Sequence, residues 1–250
     1  MTETPVLAVE GLSRWFGALP AVHGVRLALR PGEVRGIIGP NGAGKSTLLR
    51  LIAGELRPTS GRVLFRGEEI TGWPMHRVAR RGIVKSFQIT QVFPNLTCLE
   101  NVRIVTQGPA RSWNFWQDAR GDRRALHRAE ELLARVGLWA QRDLPAYALS
   151  HGAQRHLEVA MALAAQPQVL LLDEPTAGMS AEEIRSTMEL LRAIGQERTL
   201  VIVEHRMPVI MGLCERITVL HFGRVLAEGT PAEIQASEEV QAVYLGRPPS

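Results

Sequence analysis

The order of apolar and polar positions divides the chain into three stretches. In the first, short apolar runs are separated by turns that contain Gly or Pro, such as Pro31-Gly32 and the segment RPTSG at 57–61. This pattern predicts strands over 6–10, 25–30, 34–38, 62–66 and 83–87. A helix is predicted from about 45 to 54, directly after the third strand and a glycine-rich loop.

Between 92 and 150 the spacing of the apolar positions becomes helical, which predicts an inserted helical subdomain. Apolar strands then alternate with helices, with strands over 168–172, 199–203 and 216–220 and helices over 153–166 and 181–194. Such alternation is typical of a parallel sheet covered on both faces. We therefore expect an α/β fold with a mostly parallel sheet, antiparallel strands near the N-terminus and the helical insert.

We interpret the chain as a single domain over 1–250. Its core is expected over 1–91 and 151–236, the helical subdomain over 92–150, and a C-terminal tail with one short helix over 237–250. Two helix starts are marked by capping boxes, Ser180 with Glu183 and Thr230 with Glu233.

Composition narrows the class of protein only slightly. Hydrophobic residues make up 45% and charged residues 22% of the chain, which is ordinary for a folded domain. No run of about 18 apolar residues predicts a membrane span, and the first residues lack the pattern of a signal peptide. The net charge of +4 is compatible with nucleic acid, a membrane surface or nucleotide as a partner. Cys98 and Cys214 are expected to be buried thiols, because two cysteines do not make a disulfide framework.

The strongest local motif lies between the predicted strand 34–38 and the following helix. It matches G-x-x-x-x-G-K-[ST] and consists of Gly39, Pro40, Asn41, Gly42, Ala43, Gly44, Lys45, Ser46 and Thr47. Glycines let backbone N–H groups surround phosphate oxygens, and the helix adds its positive end. We therefore predict a phosphate-binding loop in which Lys45 reaches the β- and γ-phosphates and Ser46 binds Mg²⁺. Only Lys45 and Lys85 are lysines among the 29 basic residues.

Two carboxylates follow the apolar strand 168–172. Asp173 and Glu174 stand at its carboxyl end, where open parallel sheets bind their ligands. Asp173 is predicted to hold Mg²⁺ through water, and Glu174 to polarise the attacking water. The two motifs together indicate a P-loop NTPase.

A third motif narrows the class. The segment Leu149-Ser150-His151-Gly152-Ala153-Gln154 precedes a predicted helix and resembles the signature of the ABC ATPase family. The resemblance extends over about 6–246. It implies that Phe16 stacks on adenine, that Gln88 acts at the catalytic site and on Mg²⁺, and that His205 is the switch histidine. It also implies that Ser150, Gly152 and Gln154 complete the ATP site of an opposite subunit.

Three places depart from the commonest family pattern. The signature has His151 and Ala153, Ser180 stands where aspartate is frequent, and Arg206 follows the switch histidine. None of these changes removes a catalytic group, so hydrolysis of ATP is still predicted.

Further details resemble the importer ATPases for branched-chain amino acids, amides or urea. They are LSHG in the signature, AGM at 177–179, the long insert and VYLG at 243–246. This resemblance implies a head-to-tail dimer with a second copy or a paralogue, with ATP and Mg²⁺ bound. It also implies a membrane permease on the surface around Gln88, Phe93, Pro94 and Leu96, a solute-binding protein acting indirectly, and a place at the cytoplasmic face of the inner membrane. No nucleic acid is expected.

Alternatives stay open at this point. A nucleic-acid-associated ABC ATPase fits the basic charge but usually carries long coiled coils or two ATPase units. An exporter or lipid-transport ATPase would use the same chemistry, and a P-loop kinase would lack the signature. Trp113, Trp116 and Trp139 are expected to be core residues of the insert rather than contacts to a permease.

Overall fold

A computed structural model describes residues 4–86, 92–107 and 123–245. Gln88, Trp113 and Trp116 therefore lie outside the described residues. The chain divides into two compact units. The first comprises 1–85, 168–175 and 191–250, and the second comprises 86–167 and 176–190.

The first unit contains two sheets. Their strands are β1 (Leu7–Phe16), β2 (Leu19–Leu29), β3 (Val34–Ile38), β4 (Ser60–Phe65), β5 (Glu68–Glu69), β6 (Ile83–Lys85), β7 (Val169–Asp173), β8 (Thr199–Val203), β9 (Arg216–His221) and β10 (Arg224–Gly229). The antiparallel sheet has the order β2-β1-β4-β5, and the larger sheet has the order β10-β9-β3-β8-β7-β6. All neighbours in the larger sheet are parallel except β10 and β9. This confirms the predicted mostly parallel sheet with antiparallel strands near the N-terminus.

Among the described residues, α-helices alternate with strands from β7 to β9. The helices are α1 (Lys45–Ile52), α2 (Met75–Arg81), α3 (Cys98–Thr106), α4 (Arg123–Arg135), α5 (His151–Ala164), α6 (Ala181–Gly195), α7 (Met207–Leu213), α8 (Pro231–Ala236) and α9 (Glu238–Leu245). The central strands β3, β7 and β8 are buried along their whole length, as expected for a sheet covered on both faces. One core of the first unit includes side chains of α1 and of both sheets, such as Leu49, Phe65 and Leu171.

The second unit is built around α3, α4 and α5, which pack against one another. It extends beyond the predicted insert 92–150, because it also includes 151–167 and 176–190. The reason is packing, since α5 contacts both α3 and α4 although its sequence follows the signature. Sequence spacing alone does not reveal such a contact.

Local signals in the sequence agree closely with the observed helix ends. Both predicted capping boxes form, at Ser180 with Glu183 and at Thr230 with Glu233. The thiols Cys98 and Cys214 are unpaired and buried, as expected. The core interpretation is wrong for Trp139, which is 42% exposed and stacks under Arg142.

None of the helices in the described part of the chain is long and apolar enough to cross a membrane.

A buried charge cluster joins β3 to the edge of the larger sheet. The Arg35 side chain is 2% exposed and donates to Glu33 Oε1 at 2.6 Å and to Thr218 Oγ1 at 3.1 Å. It also lies 3.1 Å from Glu228 Oε1. Arg35 therefore holds two carboxylates in place next to the strand that leads into the glycine-rich loop.

We expect Arg35→Leu to lower the free energy of unfolding by about 3–5 kcal/mol, because it leaves the buried Glu33 carboxylate without its main partner. Urea unfolding followed by circular dichroism measures the change. The matched control is Arg62→Leu, whose partner Glu10 and own side chain are about half exposed, with values of 48% and 58%. That substitution should cost less than about 1 kcal/mol, and equal losses in the two variants would contradict the assignment.

Candidate functional site

The glycine-rich loop connects the end of β3 to the start of α1. Gly39 has φ 152°, and a Cβ there would lie 2.2 Å from the Leu220 oxygen. Gly44 has φ 98°, and a Cβ there would lie 2.2 Å from the Ala21 oxygen. Both positions thus require glycine, because the loop backbone is pressed against the backbone of neighbouring strands. The loop is therefore packed tightly against β9 and β2 at these two positions.

Two sources of positive charge lie at this loop, the N-terminal end of α1 and the ammonium group of Lys45. The N-cap of α1 is Gly44, which has no side chain to cap the first turn, so the positive end of the helix is left to a ligand. Lys45 is 7% exposed, and its Nζ donates to the oxygens of Gly39 at 2.7 Å and Pro40 at 3.0 Å. Burial lowers the pKa of Lys45, and the nearby Glu174 and Asp173 carboxylates partly oppose that shift.

Ser46 and Asp173 form the part of the site that fits a metal. The Ser46 hydroxyl donates to Asp173 Oδ1 at 3.1 Å. Asp173 is 1% exposed, yet its Oδ2 accepts no hydrogen bond from any residue that the structure describes. A buried carboxylate oxygen without a donor calls for an explanation such as a bound ion. One hydroxyl and one carboxylate next to a phosphate-binding loop match the oxygen ligands of Mg²⁺.

Glu174 lies directly after Asp173 in a strained backbone conformation. Its φ is 51°, in the left-handed region, and its N–H donates to the Val203 oxygen at 2.9 Å. Such conformations in residues other than glycine are concentrated at functional sites. Its Oε1 lies 4.0 Å from Nδ1 of His205. The predicted pair Glu174 and His205 is thus brought together at the ends of β7 and β8.

Sequence reasoning missed three charged residues near the ends of β7 and β8, which are Glu204, Lys85 and Glu55. Glu204 is 0% exposed, and its carboxylate accepts the His205 N–H at 3.2 Å, which fixes the backbone that carries the histidine. Lys85, at the end of β6, donates to Glu55 Oε1 at 3.1 Å. Burial raises the pKa of Asp173, and the positive charge of Lys85 partly opposes that rise. The rarity of lysine is a signal that could have pointed to Lys85.

Phe16 lies at the end of β1 and is 46% exposed. The guanidinium of Arg14 lies 4.8 Å from the centre of its ring. Arg14 is itself held by a hydrogen bond to the Arg57 oxygen at 3.0 Å. The ring is therefore covered on one side by a fixed cation and presents apolar surface to solvent.

The signature residues belong to the second unit. Ser150 is the N-cap of α5, where its hydroxyl accepts the Ala153 N–H, and Gly152 lies in the first turn. Gln154 donates through Nε2 to the oxygens of Ala146 at 3.3 Å and Leu149 at 3.2 Å. The amide of Gln154 therefore holds the loop that precedes the helix.

A phosphate-binding loop at the end of a central parallel strand, with carboxylates at the next strand ends, defines a P-loop NTPase. The profile of the ABC transporter family matches residues 22–177, and that of the branched-chain amino acid ATP-binding cassette transporter matches 224–248. This chain belongs to the ABC transporter family of ATPases.

Curated relatives and solved structures cover almost the whole chain. The high-affinity branched-chain amino acid transport ATP-binding protein LivG of Escherichia coli K12 is 37% identical over 97% of this chain and 98% of its own length. The lipopolysaccharide export system ATP-binding protein LptB of Acidithiobacillus ferridurans is 36% identical, with 96% and 97% covered. The ADP conformation of the ATP-binding cassette MJ1267 matches with a TM-score of 0.87 and 28% identity, over 98% of this chain and 100% of that one.

Asp173 should make the nucleotide-free protein less stable at neutral pH. Burial raises the pKa of this carboxyl above its ordinary value of 3.8, and the bond from Ser46 opposes the shift. The native state thus binds the proton more tightly than the unfolded chain. The loss of folding stability is therefore present above the raised pKa of the native state and disappears as the pH falls towards 3.8. We expect Asp173→Asn to raise the free energy of unfolding at pH 7, and the gain to shrink as the pH is lowered.

Urea unfolding between pH 8 and the ordinary pKa of 3.8, without nucleotide, measures this difference. Asp143→Asn is the control, because the Asp143 side chain is 76% exposed. A gain that stays constant or grows on acidification would show that burial of the charge is not the cause.

Proposed function

We propose that this chain powers the uptake of branched-chain amino acids, or of related amides or urea, through a separate membrane permease. The observation that carries the proposal is the match of residues 224–248 to the branched-chain transporter profile. Overall identity does not separate import from export, since LivG and LptB are 37% and 36% identical to the chain. The C-terminal segment favours the importer.

The roles proposed for the first unit follow from its geometry. The backbone of 39–47 surrounds the phosphates, Lys45 leaves the oxygens of the loop to bind the β- and γ-phosphates, and Phe16 stacks on the base. Ser46 and Asp173, with Gln88 from outside the described residues, hold Mg²⁺, which neutralises charge on the phosphates when it is bound. Glu174 takes the proton of the attacking water, and His205 donates to the γ-phosphate.

The roles proposed for the second unit need a partner. Ser150 and Gly152 offer a hydroxyl and a backbone N–H at the start of α5, and Gln154 keeps the preceding loop in place. We infer that these donors complete the ATP site of another ATPase subunit, a second copy or a paralogue, in a head-to-tail dimer. Each site then lacks the γ-phosphate donors of the partner, Ser150 and Gly152, until the dimer closes.

A surface of the second unit suits the permease. Phe93 is 49% exposed. Its backbone is fixed by the buried Asn101, whose Oδ1 accepts the Phe93 N–H at 2.7 Å and whose Nδ2 donates to the oxygens of Phe93, Leu96 and Thr97. A rigid turn that presents an exposed aromatic ring is a suitable contact for a coupling helix. We propose on this basis that the chain acts at the cytoplasmic face of the inner membrane, with a solute-binding protein acting indirectly.

The test is purification of the chain from membranes of its own host, followed by uptake measurements. The Glu174→Gln variant should bring with it a multi-span permease. Vesicles reconstituted with the wild-type complex and its solute-binding protein should take up labelled leucine, an amide or urea when ATP is inside, and those with Glu174→Gln should not. Recovery of a lipid-export complex, of ribosomes or of DNA without a permease would overturn the importer assignment and leave the ATPase intact.

A further inference from the structure

The carboxylate of Glu183 lies in the middle of the signature of its own subunit. Its Oε1 accepts the Gly152 N–H at 3.1 Å and the Ser150 hydroxyl at 3.2 Å. Its Oε2 accepts the N–H of Ser180 at 2.9 Å and the Ser180 hydroxyl at 3.0 Å. One oxygen thus caps α6 in the usual way, and the other binds the start of α5, 31 residues earlier in the sequence.

The contact depends on glycine at 152 and on an ionised carboxylate. A Cβ at Gly152 would lie 2.5 Å from Glu183 Oε1, so any larger residue would push the carboxylate away. The bonds from Ser180 come first among the causes that lower the pKa of Glu183, so the group stays charged at neutral pH. The positive end of α5 favours an anion at this point.

The donors used by Glu183 are the two that a γ-phosphate would need. Ser150 has a single hydroxyl proton, and its oxygen already accepts the Ala153 N–H at 3.2 Å. A proton donated to Glu183 is therefore not available to a phosphate. The same holds for the Gly152 N–H, because one hydrogen cannot make two strong hydrogen bonds at once.

We propose that Glu183 is an internal substitute for the γ-phosphate, which occupies the signature donors of the free subunit and has to release them when an ATP-loaded partner closes on them. The proposal rests on the proposed function, which assigns Ser150 and Gly152 to the partner's nucleotide. Glu183 thereby sets the ATP concentration at which two subunits associate. The bonds from Ser180 hold the carboxylate near the signature after the release, so it is ready to return when phosphate leaves.

The test compares three alanine variants in a Glu174→Gln background, which traps the closed dimer. Glu183→Ala frees the signature donors. Ser180→Ala removes the hydroxyl half of the capping box of α6 and keeps both the Ser180 N–H bond to Oε2 and the Oε1 contacts. Glu182→Ala removes a neighbouring exposed charge. Sedimentation against ATP concentration should show the midpoint of dimer formation about tenfold lower for Glu183→Ala, since hydrogen bonds to a charged group shift equilibria by about that factor. Each control should move the midpoint less than about twofold.

A second measurement needs no dimer. Inorganic triphosphate is titrated against each full-length variant, and the amide resonance of Gly152 is followed by NMR. Saturation at a concentration about tenfold lower in Glu183→Ala than in Glu182→Ala supports the competition. Equal midpoints in both measurements, or a higher ATP requirement in Glu183→Ala, would overturn it. If triphosphate competes with Glu183 but ATP never drives association of two copies, Glu183 keeps its role and the pairing of identical subunits is what fails.

Discussion

Replacing Glu174 by glutamine is expected to lower the steady-state rate of ATP hydrolysis about a thousandfold while ATP binding is retained. The amide has the same shape as the carboxylate, so it can keep the unusual backbone at φ 51° and the N–H bond to the Val203 oxygen. It cannot accept a proton from water. General base catalysis contributes roughly two to four orders of magnitude, which sets the size of the effect.

Phosphate release and nucleotide binding are to be measured on the same preparation. Glu69→Gln serves as the matched control, because this carboxylate lies exposed in β5 and should leave the rate unchanged. A Glu174→Gln chain that still hydrolyses ATP at a rate within about tenfold of wild type would place the general base elsewhere.

Lys45→Met is expected to weaken ATP binding about a hundredfold, which corresponds to about 3 kcal/mol. The Nζ atom holds two backbone oxygens of the loop at 2.7 Å and 3.0 Å, and its exchange of these partners for phosphate oxygens creates charge-assisted bonds. Methionine has a similar length and no charge, so the fold is preserved and the affinity is lost. Calorimetric titration with ATP measures the change.

Two further variants separate charge from shape. Lys45→Arg retains the positive charge but places a planar fork where a compact ammonium sits at 7% exposure, so the affinity should remain low. Lys85→Met removes the second lysine, which binds Glu55 instead of the loop, and ATP affinity should stay within about threefold. Normal binding by Lys45→Arg would mean that charge alone matters at this position.

The place of the glycine-rich loop between a strand and a helix could be predicted from the sequence, because its requirements are local. Gly39 and Gly44 are the positions at which a side chain would collide, and Lys45 begins the helix as the motif predicts. The ends of β7 at Asp173 and of β8 at Val203, two residues before His205, could be predicted for a similar reason, since each apolar run stops where polar residues begin.

The parts of the site that could not be predicted depend on contacts between residues that are far apart in the sequence. Lys85 and Glu55 approach the site only because β6 pairs with β7, and no periodicity in the sequence encodes that pairing. Glu183 was interpreted correctly as the cap of α6, but only one of its two oxygens has that local role. The bond from its other oxygen to Gly152 depends on how the start of α6 packs against the start of α5.

The exposed ring of Phe16 also affects which nucleotide the protein can bind. Its ring is backed by Arg14 at 4.8 Å, so it offers a base a flat surface and no hydrogen-bonding edge. Stacking on such a surface is tolerant of base identity, because adenine and guanine both have a π-face. In the role proposed for Phe16, the ring itself therefore does not distinguish adenine from guanine.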